Sequence, residues 1–124
     1  MTLREAIARV KMLKSPSIPD ADLIRVISQT EAEILRKIVF PRAETIEFNG
    51  YTDADMDKNL QAPFPFDDIY LWGCVKYIDV LENQAEAMNN SERRYKEILG
   101  ELAAWWVRTH RYPPEHVGSP WWGV

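Results

Sequence analysis

The chain has 124 residues, 46% hydrophobic and 27% charged, with a net charge of -4 and a pI near 5.2. That length suits one domain with one core, and the acidic balance argues against general affinity for nucleic acid, which needs concentrated positive charge. No apolar run approaches the roughly 20 residues of a membrane span, MTLREAIARVK carries no signal-peptide apolar core, and one cysteine, Cys74, permits no internal disulfide, so an intracellular origin and no membrane partner are expected.

Thr2-Leu3-Arg4-Glu5 spells a capping box, and Leu3, Ala6, Ile7, Val10 and Leu13 repeat on one face behind it. This predicts helix 1 over residues 3 to 14, broken by the serines and prolines of 15 to 19. Pro19 and Asp20 open helix 2, where Leu23, Ile27, Thr30, Ile34 and Ile38 share a face widened by Ile24, Leu35 and Val39, and Pro41 ends it. Residues 41 to 66 change character. Thr45 to Phe48 alternate, Asn49-Gly50 is a strong two-residue hairpin signal, and Tyr51-Thr52 supply a return strand. The acidic, then proline-rich stretch DADMDKNLQAPFPF reads as an irregular connection with at most one helical turn.

Asp67 is the expected cap of helix 3, with Phe66 stapled onto Leu71. From there Leu71, Cys74, Ile78, Leu81, Ala85, Met88, Tyr95, Leu99, Leu102 and Trp106 recur at steps of three and four. The cluster Asn89-Asn90-Ser91, with Glu92 completing a capping-box pattern, predicts a break into an antiparallel helical hairpin that turns between Asn83 and Ser91. Helix 4 then runs to about His110, with Trp105 and Trp106 directed at the core, and Pro113-Pro114 stops it. The fold class is therefore all-α: a small bundle of about four helices with a β-hairpin-like loop between helices 2 and 3 and an extended C-terminal arm. Residues 1-110 form the helical domain with the inserted loop 41-66, and 111-124 form the arm.

Residues that could carry chemistry are few. Asp53, Asp55, Asp57 and Asn59 imitate the first half of a calcium loop, but Lys58 and Phe64 stand where a sharp-turn glycine and a bidentate glutamate are needed. His110 and His116 lack further metal ligands nearby, no nucleophile-base pair is evident, and no glycine-rich phosphate loop exists. Neither an enzyme nor a cofactor or metal site is expected. Cys74 reads as a buried core residue. Arg93-Arg94-Lys96 and Arg36-Lys37 lie beside acids and read as solvated helix faces. Trp121 and Trp122 follow a Gly-Ser-Pro break and belong to no helix, so they are expected to anchor a partner.

The stretches FNGYTDADMD, LQAPFPFDDIYLW and MNNSERRYKEILGELAAWWVRTHRYP resemble tailed-bacteriophage head-to-tail connector proteins, also called adaptor or head-completion proteins. The residues that match are Phe48, Gly50, Tyr51, Pro63, Pro65, Asp67, Asp68, Ile69, Tyr70, Asn89, Asn90, Ser91, Trp105, Arg108, Thr109 and His110, over roughly residues 48 to 113. Phe66 departs from the family's usual Tyr, Met88 from a common aromatic, and Glu82-Asn83-Gln84 from a commoner Asn-Gly-Glu turn. The resemblance implies a non-enzymatic virion protein, made in the host cytoplasm and located at the neck of the particle. It implies a homo-oligomeric ring, of about twelve subunits in the family, that touches the portal protein and the tail or head-closure proteins. Double-stranded DNA would pass through without specific binding.

A ring needs two different patches on each subunit; the loop and the tail supply candidates in Phe48, Tyr51, Phe64, Tyr112, Trp121 and Trp122. Two alternatives stay open. A small terminase-like, nucleic-acid-binding packaging factor would need a basic recognition helix, and helix 2 carries only Arg25, Arg36 and Lys37. A regulatory helical module would bind another protein through its tail.

Overall fold

The computed structural model describes residues 1–14, 18–39 and 48–110. α1 spans Leu3–Lys14, and its capping box forms: the Glu5 N–H donates to Thr2 Oγ1 (3.2 Å) and the Thr2 N–H to Glu5 Oε1 (3.2 Å). α2 spans Asp20–Ile34 behind Pro19 and continues as a π-helical turn, Leu35–Val39. Ile34, Leu35, Ile38 and Val39 are all buried along this stretch. α3 covers Asp68–Leu81 and α4 covers Ala85–His110. α3 and α4 form the antiparallel hairpin, and α1 and α2 pack on α3. The core gathers Leu3, Val10, Leu23, Ile27, Ile34, Ile69, Tyr70, Ile78, Ile98 and Leu102. Among the described residues, no helix is long and apolar enough to cross a membrane.

Four sequence expectations need correction. The hairpin-like loop is not a hairpin in its described half: Phe48 to Thr52 form no strand, while Thr45 to Glu47 lie outside the described residues. Gly50 takes a positive φ of 96° and turns the chain onto α2, where the Tyr51 N–H donates to Ser28 Oγ (2.8 Å) in place of a cross-strand partner. The only bridge among the described residues pairs Thr2 with Asn59. The one expected helical turn is present as a 3-10 turn, Asp53–Asp55, capped by Thr52.

The helical hairpin turns at Glu82 to Gln84, the early edge of the predicted window. Asn83 adopts φ 56°, the Gln84 N–H donates to Asp79 O (2.9 Å) and the Asn83 N–H to Val80 O (3.2 Å). This is a complete Schellman closure with Asn in the left-handed position glycine usually fills. Asn89, Asn90 and Ser91 consequently lie inside α4, and no cap forms there. Leu81, placed in the seam by periodicity, is 54% exposed because the helix ends under it. Asp67 stands at the N-cap position of α3, but its side chain makes no cap hydrogen bond. Phe66 packs against Trp105, ring centroids 5.6 Å apart, and Trp105 meets Trp106 edge-on at 6.3 Å. Both tryptophans pack on the core while keeping part of their surface exposed. The expected arm, 111-124, lies outside the described residues.

Candidate functional site

The connector between α2 and α3 is held by a buried carboxyl group. Glu31 is 0% exposed, on the same helical stripe as Ile27 and Leu35. Its Oε1 accepts from the Tyr70 hydroxyl (2.8 Å), and its Oε2 accepts from the Tyr51 hydroxyl (2.6 Å) and the Gln61 N–H (3.0 Å). The Tyr70 hydroxyl accepts in turn from the Ala62 N–H (2.8 Å). Every polar atom of the cluster thus has a partner, the condition under which a buried carboxyl is tolerated. Burial, then the neighbouring Glu31, pushes both tyrosine hydroxyls well above their ordinary pKa, so both stay protonated donors. On the other side the connector is tied to α1: the Leu3 N–H donates to Lys58 O (3.1 Å) and the Arg4 N–H to Met56 O (2.9 Å). The free N–H groups at the start of α1 are thereby satisfied by the connector.

A second buried acid, Asp79, sits under the α3–α4 turn. The Ser91 hydroxyl lies 2.7 Å from Asp79 Oδ2 and 3.0 Å from Ala87 O, and its single proton serves one of them at a time. Lys14 Nζ stands 3.0 Å from Asp79 Oδ1, an ion pair off the hydrogen-bond direction. α1, α3 and α4 are joined here.

A groove of about 500 Å³ opens between α2, α3 and α4. Its lining mixes apolar side chains, Val26, Val80 and Met88, and the rings of Tyr77 and Tyr95 with the charged Glu33, Lys76 and Glu92. Gly73 is needed for the close approach of α2 and α3, since a Cβ there would lie 2.8 Å from Thr30 Oγ1. The Tyr95 hydroxyl donates to Glu33 Oε1. Partial burial would raise the Glu33 pKa, but the hydrogen bonds from Tyr95 and Lys37 outweigh it and hold the carboxyl below its ordinary range.

Phe48 and Tyr51, two of the candidate interaction residues, pack edge-on with centroids 5.0 Å apart and lie half-buried against the bundle, where the Tyr51 hydroxyl serves Glu31. Phe64 projects outward, 85% exposed. Tyr112, Trp121 and Trp122 lie outside the described residues. The calcium-like acids are engaged locally: Asp55 accepts from the Thr52 N–H (2.8 Å) and pairs with Lys58 (2.9 Å), and Asp57 pairs with Arg4 (3.2 Å). Among the described residues, no group of three potential ligands is placed to hold a metal ion. Cys74 is buried, which pushes its thiol pKa up to about 12 and leaves it unreactive.

Sequence reasoning missed Glu31 and Asp79. A signal was present for Glu31, an acid standing four residues from both Ile27 and Leu35 on an apolar stripe. Comparison with protein-family models, with curated proteins and with solved structures finds no match to this chain.

Proposed function

We propose that this chain is a structural, non-catalytic subunit of a tailed-phage head-to-tail connector. It assembles into a ring between portal and tail, extends the DNA channel, and gives the tail a docking surface. One observation carries the reading. Tyr51 and Tyr70 come from two separate stretches that resemble the connector family, and both donate to the single carboxyl of Glu31. Ser91, from the third stretch, joins α4 to α3 through Asp79. Three of the residues that carry the resemblance, one from each stretch, thus take part in the hydrogen bonds that hold this chain together. A net charge of -4 suits a conduit, because a channel lined by cations would retain the phosphates passing through it.

The exposed Phe64 and the tail residues Tyr112, Trp121 and Trp122 are the partner anchors in this reading. The test is electron microscopy of the full-length protein mixed with the portal protein encoded in the same genome. An added ring on one face of the portal is the expected result; bare portals beside free protein at micromolar concentration would refute it. Tight, strongly salt-dependent binding of duplex DNA would favour the packaging-factor alternative.

A further inference from the structure

Asn49-Gly50 spells a hairpin turn but joins no strands among the described residues, and its polar groups are left unused. Asn49 is exposed, and neither its side-chain amide nor the Gly50 N–H makes a hydrogen bond among the described residues. The first anchored amide is the next one, Tyr51, which donates to Ser28 Oγ (2.8 Å). Gly50 has no side chain to shield its nitrogen, and its φ of 96° is a conformation that glycine adopts without strain.

The other four asparagines are placed differently. The Leu60 N–H that follows Asn59 donates to Met1 O (2.9 Å), and the Gln84 N–H that follows Asn83 donates to Asp79 O (2.9 Å). Asn90 and Ser91, which follow Asn89 and Asn90, lie beyond the first turn of α4, where the N–H groups belong to the helical ladder. Asn49 alone combines an uncommitted following nitrogen with a following glycine.

We propose that Asn49-Gly50 is a site of spontaneous covalent modification, at which water converts Asn49 to aspartate and isoaspartate. The Gly50 nitrogen gives its proton to hydroxide and attacks Asn49 Cγ. A Cγ–N bond forms, the Cγ–Nδ2 bond breaks, and the side-chain nitrogen leaves as ammonia with one proton taken from water. The resulting cyclic imide then adds water at either of its carbonyl carbons. Opening at Cγ leaves aspartate. Opening at the main-chain carbonyl leaves isoaspartate, whose chain runs through Cβ and Cγ to Gly50. One amide and one water are consumed, one carboxylic acid and one ammonia are produced, and nothing is oxidised or reduced.

The product forms at the seat of the connector. Phe48 and Tyr51, on either side of the pair, pack edge-on with ring centroids 5.0 Å apart. Tyr51 is fixed at both ends, its N–H on Ser28 and its hydroxyl on Glu31 (2.6 Å). Aspartate changes only the charge of an exposed side chain. Isoaspartate inserts one more main-chain carbon between Phe48 and Tyr51, so the two rings and the Tyr51 amide lose their present spacing and the seat loosens. The reaction needs only water and holds whether or not the chain forms a ring.

The test is ageing of the full-length protein at neutral and mildly alkaline pH, followed by digestion and mass spectrometry with fragmentation that separates aspartate from isoaspartate. A synthetic peptide of residues 48–52 sets the rate of the unfolded sequence. Asn49 in the folded protein should react within about tenfold of the peptide, and more than about tenfold faster than Asn59, Asn83, Asn89 or Asn90, which react only from locally opened states. The rate should rise with pH, because the attacking nitrogen must lose its proton. Hydrogen exchange at the Tyr51 amide should be faster in the isoaspartate fraction, while Asn49→Asp keeps wild-type exchange there. An Asn49 that survives when the peptide has fully reacted would overturn the site, and so would Asn59 or Asn83 reacting at the same rate. Isoaspartate at position 49 with Tyr51 exchange unchanged would overturn the loosening.

Discussion

Replacing Glu31 with Gln keeps the side chain's shape and changes which atoms can accept a hydrogen bond. Three donors converge on the native carboxyl group: Tyr70 OH on Oε1, and Tyr51 OH and the Gln61 N–H on Oε2. A glutamine offers one oxygen. With that oxygen toward Tyr51 and Gln61, its amide group faces Tyr70, whose proton then has no acceptor. With the amide reversed, the Gln61 N–H faces another donor and cannot rotate away. At least one orphaned donor results either way, at a cost of about 1–3 kcal/mol. Glu31→Ala strands all three and leaves a void, so it should cost more, about 3 kcal/mol or above at about 1 kcal/mol or more for each stranded donor. Against a total stability of about 5–15 kcal/mol these are large losses, and Glu31→Gln should lower the melting temperature by roughly 4–12 °C at about 4 °C per kcal/mol for a chain of this size. Urea melts followed by circular dichroism give the free energies, and hydrogen exchange at the Gln61 and Ala62 amides shows whether the connector has loosened. A loss under about 0.5 kcal/mol for Glu31→Gln, with Gln61 protection unchanged, would refute the claim that this carboxyl holds the connector.

Leu102 is 1% exposed and Leu81 is 54% exposed, so Leu102→Ala should cost about 2–5 kcal/mol and Leu81→Ala about 0.5 kcal/mol or less; equal costs in urea melts would show the seam to be misplaced. Gly73→Ala puts a methyl 2.8 Å from the buried Thr30 Oγ1, which already donates to Val26 O, so it should destabilise by about 1–3 kcal/mol despite the better helix former. Gly100→Ala meets nothing within 4 Å on an exposed helix face and should stabilise by about 0.5–1 kcal/mol in the same assay. Alkali should unfold the protein: burial raises the Cys74 thiol to about 12 and raises Tyr70 and Tyr95 as well. The unfolded chain therefore binds fewer protons above about pH 9, and stability present below that pH is lost as pH rises toward 12. A melting temperature flat from pH 8 to 12 would contradict the burial of these groups.

How much could be read from the chain alone depended on the range of the interaction. The α1 capping box, the end of α1 at Lys14, the start of α2 at Asp20 and the apolar faces of α1 and α2 depend on contacts within a few residues, and the structure places them where the spacing put them, except that Leu13, expected on the α1 face, is 54% exposed in the last turn. The α3–α4 turn falls at the early edge of its predicted window, which was wide because two signals competed. Asn89-Asn90-Ser91 spells a helix start, yet Asn83 closes the Schellman turn and Ser91 is drawn into α4 by a hydrogen bond to Asp79 of the facing helix. Asn49-Gly50 spelled a hairpin, but Ser28 offered the Tyr51 N–H a nearer partner than any strand among the described residues. Of the candidate contact residues, Phe64 was legible as exposed and apolar, whereas the inward role of Tyr51 was not. The alternation of apolar and polar residues determined the four helices and most of the α2 face, because periodicity is a property of the local backbone, but not the helix ends, where Leu13, Leu81 and Ala85 are exposed. Only the tertiary structure decided that Glu31 is buried: a carboxyl is excluded from a core unless donors arrive to meet it, and those donors lie 20, 30 and 39 residues away along the chain.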